Sequence, residues 1–246
     1  METMIHAHRG ASAYAPENTM EAFSLAVEQG ADYIELDVHL SKDGEIVVAH
    51  DELLDRVSNG TGHINDHTLK ELKSLNFGKL FPNKTSVIPT LAEVFTLIKP
   101  ANIYLNIEIK SIDRLYPELP EKLVCLANEY AMKERIIYSS FNHYSLQHIK
   151  KIDSSSKIGL LYNIGLVDPW LYAKHLNADA IHPHYAIIAA LPETVLRCHE
   201  NGIHVNVWTA DDPKIIGFLL KCEADGIITN KPDTAKECRK SFYEGK

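Results

Sequence analysis

The sequence predicts an α/β protein built as a TIM (β/α)8 barrel with a small insertion subdomain after strand two, and three observations carry that prediction. At 246 residues the chain has the length typical of one eight-fold α/β barrel. Short apolar runs alternate with segments of helical apolar spacing from end to end, the pattern of parallel strands joined by crossover helices. Two of the runs alternate apolar and polar residues, which a strand buried on both faces would not need. Residues 1–246 are read as one domain.

The strand candidates, in order, are Met4–His8, Tyr33–His39, Ile103–Lys110, Arg135–Ser139, Lys157–Tyr162, Asp179–His182, His204–Trp208 and Asp225–Thr229. Between them, Thr19–Gln29, Leu91–Ile98, Leu119–Ala131 and Pro192–Asn201 have the apolar spacing of helices packed on a sheet. Asn18 before Glu21, Thr68 before Glu71 and Thr90 before Glu93 each place a capping side chain three residues ahead of a carboxylate, so each reads as a helix start. Gly30 and Gly202 fall where helices end in a left-handed cap.

In Ile103–Lys110, Ile103, Leu105, Ile107 and Ile109 share one face and Tyr104, Asn106, Glu108 and Lys110 the other. In Tyr33–His39, Ile34, Leu36 and Val38 alternate in the same way with Glu35, Asp37 and His39. A barrel strand explains both, its outer face packing on helices and its inner face lining the mouth. About fifty residues separate Asp51 from Ile103, too many for a simple crossover. Ser41-Lys42-Asp43-Gly44 is a turn signal and Glu45–Ala49 a short strand, so the chain leaves strand two through a hairpin that ends at His50. From Glu52 to Ile88 an excursion with one short helix near Thr68–Leu75 reads as an inserted subdomain, about 52–88, over the barrel mouth.

Composition excludes several classes. A formal charge of −8 and the lack of a basic stripe argue against nucleic acid as a partner. The opening residues lack the basic and apolar regions of a signal peptide, and no apolar run approaches a membrane span, so a cytoplasmic location is expected. Cys125, Cys198, Cys222 and Cys238 have no C-x-x-C spacing and read as free thiols. A homo-oligomer is left open.

The chemistry concentrates early. Glu35 and Asp37 project to one strand face and Glu108 ends the adjacent strand on the same interior surface, so three carboxylates converge. Unpaired they would repel one another, and a divalent cation is their natural partner, with all-oxygen ligation favouring Mg²⁺, Ca²⁺ or Mn²⁺ over zinc. The competing reading is neutralisation by Lys110 and Arg9 alone. His8 ends strand one and His50 ends the hairpin, and imidazoles near neutral pKa suit proton removal from a nucleophile and donation to a leaving alkoxide. Arg9 offers a planar fork for phosphate oxygens and Lys110 a point charge; ion pairing with the carboxylates can coexist with that role. Phe141, His182, His184, Asn206 and Trp208 fall at or near later strand ends. Of these, Phe141, His184 and Trp208 are candidate substrate contacts, with core capping the competing role, and His182 reads as a packed histidine.

Taken together, His8-Arg9-Gly10, Pro16-Glu17-Asn18-Thr19, Gly30-Ala31-Asp32 through Glu35-Leu36-Asp37-Val38, Lys42-Asp43-Gly44, His50-Asp51, Glu108-Ile109-Lys110 and Val207-Trp208-Thr209 resemble glycerophosphodiester phosphodiesterases of the bacterial, cytoplasmic type. The similarity runs on to Gly226-Ile227-Ile228-Thr229-Asn230-Lys231-Pro232-Asp233. The resemblance implies a TIM barrel with a small insertion after strand two, and the hydrolysis of a small-molecule glycerophosphodiester to sn-glycerol 3-phosphate and an alcohol. It implies that His8 and His50 are the acid/base pair, that Glu35, Asp37 and Glu108 hold the metal, and that Arg9 and Lys110 bind phosphate. Attack by water and attack by the substrate's own glycerol hydroxyl through a cyclic phosphate both stay open.

Two other readings compete. His6-Ala7-His8 mimics the His-x-His pair of metal-dependent amidohydrolases, whose chemistry would also need an aspartate ending strand eight, where this chain has Thr229-Asn230. A non-catalytic barrel that only binds glycerophosphodiesters would be expected to lack a histidine or a metal ligand, and none is missing.

Overall fold

The structure, a computed structural model, describes residues 2–110 and 116–245. Nine strands make one sheet: β1 (Met4–His8), β2 (Tyr33–Leu40), β3 (Ile46–Val48), β4 (Tyr104–Ile109), β5 (Ile136–Ser140), β6 (Lys157–Tyr162), β7 (Ala180–Pro183), β8 (His204–Val207) and β9 (Gly226–Thr229). All but β3 run parallel, and β1 pairs with both β9 and β2, so the eight close into a TIM barrel with helices between the strands. The strand ends fall within one residue of their predicted positions.

The period-2 pattern is what builds the wall. Ile34, Leu36 and Val38 of β2 and Leu105 and Ile107 of β4 point outward and are fully buried under helix Met20–Glu28, through Phe23 and Ala26, and helix Leu91–Ile98, through Val94, Phe95 and Ile98. Their polar alternates face the barrel interior, where Asp37 pairs in register with Glu108 across β2 and β4. The hairpin forms as expected, β3 lying antiparallel on β2 with Val38 opposite Val48. The amide of Ala49 then donates to the Asp37 carbonyl at 3.0 Å, which sets His50 beside the carboxylate strand. Beyond it, a 3-10 turn (Ile64–Asp66) and helix Leu69–Lys73 bury Leu54, Val57, Ile64, Leu72, Phe77 and Ile88 with Val47 and Ala49, a cluster separate from the barrel core.

Thr68 with Glu71 and Thr90 with Glu93 form reciprocal capping boxes. Gly30 and Gly202 end their helices at φ of +72° and +73°. Asn18 does not cap. Thr19 takes that place, accepting from the Ala22 amide at 3.3 Å, while Asn18 turns left-handed (φ +57°) and its side-chain amide donates to Asp37 Oδ2 at 2.8 Å. Asn18 Oδ1, the atom a cap would use, accepts instead from the Asp37 amide at 3.4 Å, so both ends of the side chain serve Asp37, and the bond to its buried carboxylate is charge-assisted.

Gly10 fixes how β1 hands over to the first helix. It sits at φ +81°, and a Cβ there would lie 2.6 Å from the carbonyl carbon of Ala22 and 2.7 Å from its oxygen. The third neighbour is the Ala22 Cβ at 2.8 Å, which is fixed to the same backbone, so nothing there can swing aside. Gly10→Ala should therefore cost about 2 kcal/mol or more, combining left-handed strain with the clash. The urea midpoint reads this directly; a midpoint equal to wild type would refute the close approach.

Candidate active site

The three interior carboxylates meet as the strand faces predict. Glu35, Asp37 and Glu108 are all buried and each offers an oxygen within 4.8 Å of the others. Lys110 Nζ stands 3.0 Å from Asp37 Oδ1 and also donates to Glu108, so both cations of the sequence reading are ion-paired here. Arg9 Nε lies 3.5 Å from Asp37 Oδ2. The Arg9 backbone adopts φ +55°, a costly conformation for a side-chain-bearing residue, and its amide donates to Glu35 Oε2 at 2.9 Å.

The charges are shared unequally. Burial works against ionisation of Asp37, but Lys110 and Arg9 outweigh it and hold the carboxyl far below the usual range. Burial pushes Glu35 well up, with the neighbouring Asp37 and Glu108 charges adding to it. Burial likewise raises Glu108 to about 7, although Lys110 opposes the shift. Two of three acids thus resist ionisation in this pocket, which is the electrostatic signature of a place that accepts positive charge.

His8 and His50 both border the same cavity, and each is oriented through Nδ1. His8 Nδ1 lies 2.7 Å from Asn230 Oδ1. Asn230 Nδ2 donates to Asp211 Oδ2 at 2.6 Å, which leaves Oδ1 as an acceptor and places the His8 hydrogen on Nδ1. Its free Nε2 is 4.0 Å from Glu35 Oε2. Burial, then the Arg9 charge, pulls the His8 pKa down to about 4, so the ring is neutral at pH 7. His50 Nδ1 donates to Asp51, and burial lowers its pKa too. The sequence pattern placed His39 inside the barrel without a task. Its Nε2 donates to the His50 carbonyl at 3.1 Å, pinning the backbone of that histidine.

Arg9, Lys110, His8, His50, Glu35 and Glu108 line one cavity of about 100 Å³ that opens to solvent. Phe141, Leu161, Trp208 and Ile228 form its apolar wall. Phe141 and Trp208 meet edge-on at 5.5 Å, and the indole is held by a 2.7 Å bond from Nε1 to the His182 carbonyl. His184 is not among the lining residues; it packs behind the indole, ring centres 5.1 Å apart. His6 lies below, stacked on Tyr33 at 4.2 Å and away from the carboxylates, so His6-Ala7-His8 does not act as a pair.

Asp211, Asn230, Glu17 and Arg56 complete the surroundings. Glu17 Oε1 accepts from Arg9 Nη1 at 2.9 Å and from Arg56 Nη2 at 2.7 Å. Asp211 and Arg56 carried no local signal in the sequence, since Thr229, Asn230 and Glu17, the partners that tie them to the site, lie on other segments.

A second buried polar layer lies beneath the site. His182 accepts from Asn206 Nδ2 at 2.9 Å and fills the space that Gly159 leaves, where a Cβ would fall 2.3 Å from its Nε2. Burial lowers its pKa to about 3. A histidine depressed in the fold favours folding above its unfolded pKa near 6.5, and that contribution is lost as pH falls toward 3. Between pH 6 and 4.5 the stability of wild type should fall with pH more steeply than that of His182→Gln, by close to one proton, or about 1.4 kcal/mol per pH unit. Parallel denaturation curves over this window decide it; equal slopes would mean that His182 is protonated in the folded state.

Comparisons with known proteins agree with this architecture. The profile of the glycerophosphoryl diester phosphodiesterase family matches residues 8–234. A glycerophosphodiester phosphodiesterase from Caldanaerobacter subterraneus subsp. tengcongensis is 49% identical over 236 residues, covering 95% of this chain and 96% of the relative. The crystal structure of a glycerophosphodiester phosphodiesterase from Agrobacterium tumefaciens is 30% identical, with a TM-score of 0.83 over 96% of this chain and 99% of that one. A phosphodiesterase from Oleispira antarctica, solved in complex with the product sn-glycerol-3-phosphate, is 27% identical with a TM-score of 0.83 over 98% of both chains. The barrel, the motifs along it and these likenesses have one reading: the chain belongs to the glycerophosphoryl diester phosphodiesterase family.

Proposed function

We propose that this protein hydrolyses small glycerophosphodiesters to sn-glycerol 3-phosphate and an alcohol, with His8 and His50 as its acid/base pair. The observation that carries the proposal is the convergence, on one cavity, of two imidazoles with free Nε2 atoms, two cations and the carboxylates Glu35 and Glu108, with Asp37 buried beside them. The product bound to the Oleispira relative supports the product named here.

Glu35, Asp37 and Glu108 fit a divalent cation, since the set is all oxygen and buried, and two of its members resist ionisation without added positive charge. Mg²⁺, Ca²⁺ or Mn²⁺ suits those donors. Bound there, such an ion supplies Lewis-acid stabilisation of charge on a phosphoryl oxygen. Arg9 and Lys110, already at the cavity wall, add fixed positive charge for the remaining phosphate oxygens, and neither needs to reorganise during the reaction. One imidazole, neutral at the start, takes a proton from the nucleophile through Nε2, while the other enters as the imidazolium and delivers its Nε2 proton to the departing alcohol. Phe141 and Trp208 contact the apolar part of the substrate, and His184 acts through Trp208, which it buttresses. Segment 52–88 serves as an inserted subdomain beside the mouth, resting on its own apolar cluster. Four free cysteines accord with a cytoplasmic setting, and no helix among the described residues is long and apolar enough to cross a membrane.

Glycerol 3-phosphate release from glycerophosphocholine and glycerophosphoethanolamine is the direct assay. His8→Ala and His50→Ala should each lower kcat by at least ~10²-fold, the low end for a general acid or base. Variants at wild-type rate would remove the histidine pair from the mechanism. EDTA should abolish turnover and Mg²⁺, Ca²⁺ or Mn²⁺ restore it; full activity in EDTA would exclude the metal.

A further inference from the structure

His50 and Asp51 are neighbours at the end of a hairpin, and two adjacent side chains cannot by themselves fix an imidazole in space. The third point of support comes from the excursion. Arg56 donates through Nε to Asp51 Oδ2 and through Nη2 to Asp51 Oδ1 at 3.1 Å. The same guanidinium donates to Glu17 through Nη1 (2.9 Å) and Nη2 (2.7 Å). Glu17 belongs to the segment after β1 and also holds Arg9 Nη1 at 2.9 Å. One fork thus closes a continuous chain of contacts, His50 to Asp51 to Arg56 to Glu17 to Arg9.

We propose that Arg56 is a positioning residue: by clasping Asp51 and Glu17 together, it sets the imidazole of His50 and the guanidinium of Arg9 in one geometry relative to each other. The inference rests on the roles of His50 and Arg9 given under Proposed function. Its physical basis is that Asp51 and Glu17 carry like charges on separate segments, and with no cation between them they would part. A carboxylate that drifts from His50 no longer holds the hydrogen on Nδ1, and the Nε2 lone pair is lost to tautomer exchange. Lysine is a poor substitute, because an ammonium cannot bridge two carboxylates with paired planar bonds. The Arg56 side chain is 39% exposed, so the cluster contributes little to fold stability, and its effect falls on geometry.

Arg56→Ala should lower kcat on glycerophosphocholine roughly 10- to 100-fold, the scale of an ångström-sized misplacement, while the melting temperature stays close to wild type. Added guanidinium ion should restore part of that loss and do nothing for His50→Ala. Arg56→Lys should stay nearer to Arg56→Ala than to wild type. A readout independent of turnover is the nitrogen-proton spectrum of the His50 ring: hydrogen on Nδ1 in wild type, mixed tautomers in Arg56→Ala. Support requires both the kcat loss and the tautomer change. Either one without the other overturns the proposal. If Arg56→Ala does not fold, Arg56→Gln and Arg56→Lys are read by the same two measurements. A wild-type chain inactive on glycerophosphodiesters would count against the proposed function, and the tautomer measurement alone would then decide whether Arg56 orients His50.

Discussion

Three carboxylates inside a barrel form the constraint on which the rest of this structure depends. Burying one unpaired charge costs several kcal/mol, and burying three beside one another is untenable without compensation. The fold meets that demand from every side. Lys110 and Arg9 bring charge, the Asn18 amide a hydrogen bond to Asp37, and the strained Arg9 backbone an amide to Glu35. Even so, Glu35 and Glu108 resist ionisation, and this remaining demand for positive charge is what the proposed cation would meet.

The histidines follow a different logic. Each has one nitrogen committed to an orienting partner and the other free toward the cavity, but the partners differ in kind. His8 is held by a neutral amide, Asn230, itself fixed by Asp211. His50 is held by a carboxylate, Asp51, fixed by Arg56. A ring leaning on an amide and a ring leaning on a carboxylate respond differently to gaining a proton, because only the second has a negative charge alongside to stabilise the imidazolium. Under the proposed acid/base role, that asymmetry is a physical basis on which the two rings would divide the work.

Much of this was legible in the chain because it is written in short-range periodicity. Strict alternation in Tyr33–His39 and Ile103–Lys110 put Glu35, Asp37 and Glu108 on one interior face, and the register of β2 with β4 set Asp37 level with Glu108 and Glu35 opposite Asn106. The turn Ser41-Lys42-Asp43-Gly44 forecast the hairpin that returns His50. The same local reasoning misplaced Asn18, whose spacing from Glu21 matches a cap; its true partner, Asp37, lies nineteen positions away. It left His184 between substrate contact and core capping; in the fold its ring packs edge-on against Trp208, centres 5.1 Å apart.

By itself, then, the sequence determined the barrel, the hairpin, the facing of the carboxylates and the helix starts at Thr68 and Thr90. All of these follow from which face a side chain takes within one element, a matter of backbone period. Only the tertiary structure decided which nitrogen of His8 and of His50 is free, which acids are pushed toward the neutral form, and that Asp211, Arg56 and Glu17 stand around the site. Tautomer and pKa are properties of surroundings supplied by distant segments. They come into being only when β9 closes on β1 and the excursion folds back beside the mouth.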